Sequence, residues 1–231
     1  MKAGQFPREL PGIFDYVVNV FSLNPAIVEM GLPESQSLLA RAQEGDADAY
    51  CEICRGHEAR LLRQAMLLCG NETLAADLAQ DTLVEGWRSV RRYNGRCQFF
   101  TWLCAIMLNR FHNTLRKKTP VSFSSLSATD EDAVDRMVSN LADQSDSPDR
   151  AAELRERAAS IQESVRKLSP KHQEVIHLRF FADDSLEGVA SALGCSVGTV
   201  KSRLFHALEQ LRSMGILREQ PANPATIEVK S

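Results

Sequence analysis

The stretch with the plainest chemical character is SVGTVKSRL, residues 196–204. A helix-opening serine, short hydroxyls and two cations fall within nine residues, and His206 follows. Helical spacing buries Val200 and turns Thr199, Lys201, Ser202, Arg203 and His206 outward from Ser196. Such groups donate to phosphate oxygens and reach base edges in a DNA groove. A helical hairpin with a solvated face carries the same ingredients, so this stretch leaves both readings open. Two further constellations bear on it. Arg91, Arg92, Tyr93, Asn94 and Arg96 crowd a polar loop, and Asn109, Arg110, His112, Asn113, Arg116, Lys117 and Lys118 follow along the exposed side of the next helix. Cations and amides of these kinds suit phosphate oxygens. Asp77, Gln80 and Asp81 form the polar edge of a helix whose Leu78, Leu83, Val84 and Trp87 face inward, leaving two acids and an amide for a partner or for water.

The elements that must position these groups read as helices throughout. Apolar residues recur at three-to-four spacing through residues 38–68, with Gly45 and Gly70 as stops, and again from Thr73 to Trp87. After the turn RYNGRCQ, Phe99, Trp102, Leu103 and Ile106 give the i, i+3, i+4, i+7 pattern of a core-facing stripe. Residues 119–152 are rich in Ser, Asp and Thr and read as a solvated linker. Helical pattern resumes near residue 153, with Ser169 and Pro170 opening one helix and Ser185 another. Gly194 then breaks the chain and Ser196 caps the last helix. A steep helix-turn-helix needs a small residue at the contact and a glycine at the turn, which Ala190 and Gly194 provide.

Charge follows the same division. The net charge of -3 argues against bulk electrostatic coating of nucleic acid, so contacts must come from local patches. Residues 34–118 hold 12 Lys/Arg against 10 Asp/Glu, residues 119–165 hold 4 against 10, and residues 166–212 hold 7 against 5. The six cysteines lack the density of a secreted scaffold, and no signal peptide or membrane-spanning run is evident, as expected of a cytoplasmic protein with reduced thiols.

The string LSPKHQEVIHLRFFADDSLEGVASALGCSVGTVKSRLFHALEQLR resembles the carboxy-terminal domain of bacterial sigma factors of the extracytoplasmic-function (ECF) group of the sigma-70 family. DLAQDTLVEGW and RYNGRCQFFTWLCAIMLNRFHNTLRKK resemble the family's amino-terminal domain. The resemblance covers about residues 35–118 and 160–212. It implies an all-α protein of two small helical domains joined by a flexible acidic linker, the second a helix-turn-helix. The implied boundaries are an N-terminal extension of residues 1–33, a region 2-like domain of residues 34–118, a linker of residues 119–152, a region 4-like domain of residues 153–213 and a tail of residues 214–231.

The resemblance further implies that Asp77, Gln80 and Asp81 dock on core RNA polymerase. Arg91, Arg92, Tyr93, Asn94, Arg96, Asn109, Arg110, Asn113, Arg116 and Lys117 would hold melted minus-ten promoter DNA. Ser196, Thr199, Lys201, Ser202, Arg203 and His206 would read the minus-thirty-five element. An anti-sigma factor is the expected further partner, and the two domains, when free, are expected to fold on one another or on that partner with both DNA surfaces hidden. Gly188 departs from the family pattern and is expected to weaken its helix by up to about 1 kcal/mol.

Other chemistry finds little support. Cys51 and Cys54 lie one helical turn apart, but inside an apolar-periodic helix rather than on the knuckle that structural zinc favours. Cys97, in the polar loop, is expected to be the more exposed thiol. The histidines are scattered, with no nucleophile beside a base and no phosphate loop, so neither catalysis nor a cofactor is expected. The alternative function is a stand-alone helix-turn-helix regulator, which would shift promoter DNA without polymerase.

Overall fold

The computed structural model describes residues 32–117 and 160–215. The expected N-terminal extension, acidic linker and C-terminal tail fall almost wholly outside these residues. All regular structure among the described residues is helical. We number the elements α1 (Leu32–Glu44), α2 (Ala47–Cys69), α3 (Glu72–Ser89) and α4 (Phe99–Lys117). The second unit holds α5 (described over 160–166), α6 (Pro170–Ile176), α7 (Leu186–Ala192) and α8 (Val197–Ser213). A 3-10 turn, Val90–Arg92, closes α3, and a π turn, His177–Phe181, continues α6.

Local chemistry sets most of the boundaries. Asp46 accepts from the Ala49 N–H at 3.0 Å and Asn71 from the Leu74 N–H at 3.0 Å, satisfying backbone donors that open α2 and α3. Ser185 and Ser196 do the same for α7 and α8 through the Gly188 and Thr199 N–H groups. Between α7 and α8 the chain makes a Schellman turn. The Cys195 N–H reaches the Ala190 carbonyl at 3.0 Å and the Gly194 N–H the Ser191 carbonyl at 3.2 Å, with Gly194 at φ +60°. Nothing lies within 4 Å of a Cβ built at Gly194, so its need for glycine is conformational and not steric.

The element that organises the rest is α4. Its first ten residues, FFTWLCAIML, carry no charge, and a helix apolar all round is a buried one. The expected stripe accounts for one side: Phe99 and Trp102 are half-buried and join Tyr50, Trp87 and Tyr93 in an aromatic cluster with ring centroids 5.3–6.4 Å apart. The other side, Phe100, Cys104, Met107 and Leu108, is more deeply buried and enters one continuous core with Val175, Leu178, Phe181, Val189 and Val200 of the second unit. Ile106, expected in the core, is only half-buried. The two helical units therefore pack directly on each other.

Polar groups stitch this seam. The Arg60 guanidinium lies 3.9 Å over the Phe100 ring and donates to the Ala182 carbonyl at 3.0 Å. Gln162 of α5 donates to the Leu67 carbonyl at the end of α2. His112 was expected on the exposed side of α4 but is 5% exposed, with Nε2 3.1 Å from Gln173 Oε1 and Nδ1 3.5 Å from Glu174 Oε1. The Gln173 amide already donates to the Arg166 and Leu168 carbonyls, so its oxygen faces His112 and the proton of that bond belongs to His112 Nε2. Asp184, also buried, accepts from the Gln98 N–H before α4 at 2.9 Å and from the Ser185 N–H before α7 at 2.7 Å. One carboxylate thus sits at the amino-terminal ends of two helices from different units, where backbone donors and helix dipoles both favour it.

Gly188 belongs to this arrangement, which gives a steric reason for a residue that is a weak helix former. A Cβ there would lie 2.1 Å from Asp184 Oδ1 and 2.4 Å from Cγ. The glycine is what lets the carboxylate fold back over α7. By contrast, a Cβ at Gly56, exposed within α2, would meet nothing within 4 Å. Gly56→Ala should therefore stabilise by about 0.5–1 kcal/mol. Gly188→Ala should destabilise by about 1–3 kcal/mol, the cost of displacing a buried, hydrogen-bonded carboxylate. Urea unfolding of both variants checks the opposite signs.

His177 gives the seam an acid sensitivity. It is buried against Phe181, its Nδ1 has no hydrogen-bond partner, and burial, aided by the nearby His112 charge, pushes its pKa down to about 3. The imidazole is neutral in the folded chain but takes a proton near pH 6.5 when unfolded. Stability is therefore fully present above about pH 6.5 and falls by up to about 1.4 kcal/mol per pH unit below it. Urea midpoints measured from pH 7.5 to 5 should fall towards acid, and His177→Phe should flatten that slope.

Candidate nucleic-acid interface

The candidate residues fall on separate surfaces. Lys201, Ser202 and His206 project from the exposed side of α8, Arg203 is half-buried, and Val200, Leu204, Ala207 and Leu208 form its buried stripe. α8 packs on α6 and α7 within its own unit, so its outward side stays open although the two units are closed on each other. The expectation that mutual packing hides both DNA surfaces is corrected here, because the seam uses other faces. Ser196 spends its hydroxyl on the helix cap, with Thr199 Oγ1 2.9 Å away, so both have structural duties at the start of the helix. Phe205 is 50% exposed beside His206, an apolar group on the presented surface that the sequence reading passed over.

The loop and α4 form the second surface. Arg91, Arg92, Asn94 and Arg96 are exposed, and Asn94 Oδ1 accepts from the Arg96 N–H at 3.0 Å, an Asx turn that shapes the loop. Tyr93 departs from expectation. It is 8% exposed, packs between Phe99 and Trp102, and spends its hydroxyl on the Cys97 carbonyl. In this arrangement it positions the loop from within. Along α4, Asn109 and Arg116 are exposed and Arg110 and Asn113 half-buried. Arg116 donates to Asn113 at 2.8 Å, and Asn113 to Asn109 at 3.2 Å, an ordered polar row on one face. The side chain of Lys117 lies outside the described residues.

Asp77, Gln80 and Asp81 are exposed together on α3, as their spacing requires, whereas Val84, expected to face inward, is 49% exposed. Arg110 pairs with Asp81 and lies 3.8 Å from Glu85, which joins a group expected to meet protein with one expected to meet DNA. An ion pair this exposed contributes about 0–1 kcal/mol, so either partner could displace it cheaply.

No group of three or more His, Cys, Asp or Glu residues among the described residues is placed to hold a metal ion, and no helix among them is long and apolar enough to cross a membrane.

Residues 53–120 match the family "Sigma-70 region 2" and residues 165–213 match "Sigma-70, region 4". This chain belongs to the sigma-70 family. Relatives include the RNA polymerase sigma-H factor of Pseudomonas aeruginosa, 28% identical over 77% of this chain and 92% of that protein, and the ECF RNA polymerase sigma factor SigW of Bacillus subtilis, 26% identical over 75% and 92%. They place the chain in the ECF group. The fold is shared with CnrH, solved in complex with the cytosolic domain of CnrY, at a TM-score of 0.54 and 24% identity over 80% of this chain and 99% of that one. The sigma factor is accordingly a promoter-directing initiation factor, and the region 2 match disfavours a stand-alone helix-turn-helix regulator. The region 2 match covers α3, the loop and α4, and the region 4 match covers α6 through α8, so all three candidate surfaces lie within matched segments.

The cysteines reverse one expectation. Cys97 is buried, and burial pushes its thiol up to about 11, whereas Cys51 is exposed. Burial also raises Cys54 to about 11 and Cys104 to about 12. The loop is polar, but Tyr93 folds back over Cys97. Brief iodoacetamide treatment with peptide mass mapping should label Cys51 first, with Cys54, Cys97 and Cys104 labelled only after unfolding.

Proposed function

We propose that this sigma factor docks on core RNA polymerase through Asp77, Gln80 and Asp81, and grips melted minus-ten DNA with the loop and polar row of Arg91, Arg92, Asn94, Arg96, Asn109, Arg110, Asn113, Arg116 and Lys117. Lys201, Ser202, Arg203 and His206 read the minus-thirty-five element, with Ser196 and Thr199 holding the start of their helix. Tyr93 supports the loop from within and would meet DNA only if the aromatic cluster opened. The observation that carries this reading is the presence in one chain of both matched regions, each presenting exposed groups of the required chemistry. The protein acts by binding rather than catalysis, works in the cytoplasm, and has an anti-sigma factor as its further partner, as its family resemblance implies.

Docking and reading are distinguishable in one experiment. Run-off transcription from a promoter library with purified core polymerase should give promoter-specific transcripts only when the protein is added. Asp77→Arg should lower affinity for core without changing the helical content of the free protein. Arg203→Ala should weaken promoter binding by about 1–3 kcal/mol in a manner that depends on upstream sequence, whereas a phosphate contact would give a uniform loss. Core that gains neither binding nor initiation from the wild-type protein would overturn the proposal.

A further inference from the structure

We propose that a cavity at the seam between the two helical units is a binding site for a small amphiphilic anion, an apolar body carrying one carboxylate or an equivalent acceptor group. The cavity holds about 490 Å³, within the range of about 300–1,000 Å³ usual for small-molecule sites. Leu67 and Leu68 of α2 and Phe111 and Leu115 of α4 line it from the first unit, and Val165 and Phe181 from the second. Its walls are thus chiefly apolar and belong to both units.

The polar groups at this cavity indicate the ligand. Arg166 lines it with Nε and Nη2 buried and without a hydrogen-bond partner, and His177, 5% exposed, lines it with Nδ1 in the same condition. Buried polar groups almost always find partners, and those that do not are completed by water or by something bound. The other polar lining groups have partners already. Gln162 donates to the Leu67 carbonyl, Gln173 uses its amide on two carbonyls and its oxygen on His112, and Glu163 pairs with Lys167 at 3.4 Å, its charge also acting on Arg166 without a hydrogen bond to Nε or Nη2. What remains is a permanently charged fork of donors and one neutral imidazole nitrogen beside an apolar chamber. A carboxylate on Arg166 with its apolar body among the leucines and phenylalanines satisfies the fork and the chamber. A neutral apolar molecule would leave the guanidinium without an acceptor, and a cation would face Arg166 and Lys167.

A ligand seated there touches both units and stabilises their pairing by mass action. This regulatory consequence rests on the proposed function, whereas the binding site does not. Closure keeps the seam face of α4 covered, so bound ligand should oppose any step of initiation that requires the units to separate.

The test uses the full chain and decanoate below its micelle-forming concentration, followed by calorimetric titration, with decan-1-ol and decyltrimethylammonium as neutral and cationic probes. Decanoate should bind saturably at one site per chain and raise the melting temperature. Arg166→Gln should weaken it about tenfold or more. Leu115→Trp, which fills the chamber and keeps Arg166, should abolish binding while circular dichroism stays native; it keeps the test decisive if the Arg166 variant folds poorly. Absence of saturable binding, equal binding of the alcohol or the cation, or undiminished binding to Leu115→Trp would each overturn the site. Decanoate should also reduce run-off transcription by the wild type and not by Leu115→Trp. Unchanged transcription with binding intact would overturn the regulatory consequence alone, and failure of transcription without any ligand would count against the sigma reading and not against the site.

Discussion

A buried carboxylate with two helix amino termini as its partners sets the form of this molecule. Asp184 is 6% exposed, and its oxygens accept from backbone donors before α4 in one unit and before α7 in the other. An ionised carboxylate removed from water is tolerable only if such donors meet it. Each requirement propagates. Gly188 must lack a Cβ so that the carboxylate can fold over α7, and Asp183 adopts φ +57°, a conformation that aspartate tolerates better than most residues. The Asp183 carbonyl then accepts from the Gln98 side chain at 3.2 Å, and Arg179 holds the Asp184 carbonyl at 2.9 Å. The beginning of α4 is fixed as much by the second unit as by its own loop.

From that anchor the apolar character of α4 becomes intelligible. An amphipathic helix at the edge of one domain would need only the stripe that meets the aromatic cluster. α4 instead buries Phe100, Cys104, Met107 and Leu108 against the second unit, and His112 extends the contact with a buried hydrogen bond to Gln173. The seam thus mixes a large apolar area with a few polar groups whose partners lie across it. Such groups fix register as well as affinity, because a shift of either unit would strand them without partners.

The three candidate surfaces lie around this seam rather than in it. The exposed side of α8, the loop with its polar row, and the acidic edge of α3 all remain at the surface while the units are closed. Closure therefore bears on the spacing between the exposed side of α8 and the loop with its polar row rather than on the accessibility of either. Under the proposed function, control of that spacing is a route to control of activity. The Arg110–Asp81 pair adds a smaller link, joining the edge of α3 to the polar row of α4 at little energetic cost to either partner.

The helices, the caps Ser185 and Ser196, the helix-turn-helix and the family are legible in the chain alone, whereas the caps Asp46 and Asn71 were not read, and Ser169 opens its helix without a side-chain hydrogen bond. The legible features follow from interactions among neighbours in the chain: periodicity, a serine before its helix, a glycine at a left-handed turn. The outward facing of Lys201, Ser202 and His206 on α8 and of Asp77, Gln80 and Asp81 on α3 is legible too, since a face is a property of a single helix, but Thr199 and Arg203 are half-buried. The seam and the side-chain placements that changed these readings belong to the assembled fold. Tyr93, His112 and Cys97 look exposed in a polar stretch, and Gly188 looks like a poor helix former, because burial and close approach depend on how side chains are placed in three dimensions. Gln173 of the second unit meets His112, whereas the aromatic cluster of their own unit covers Tyr93 and Cys97, and Asp184 of its own unit crowds Gly188. The uncharged run FFTWLCAIML was the one sequence signal of a second buried face. It could say that α4 is covered on both sides but not by what, since any apolar surface satisfies an apolar helix and only placed partners such as Asp184 and Gln173 distinguish one cover from another.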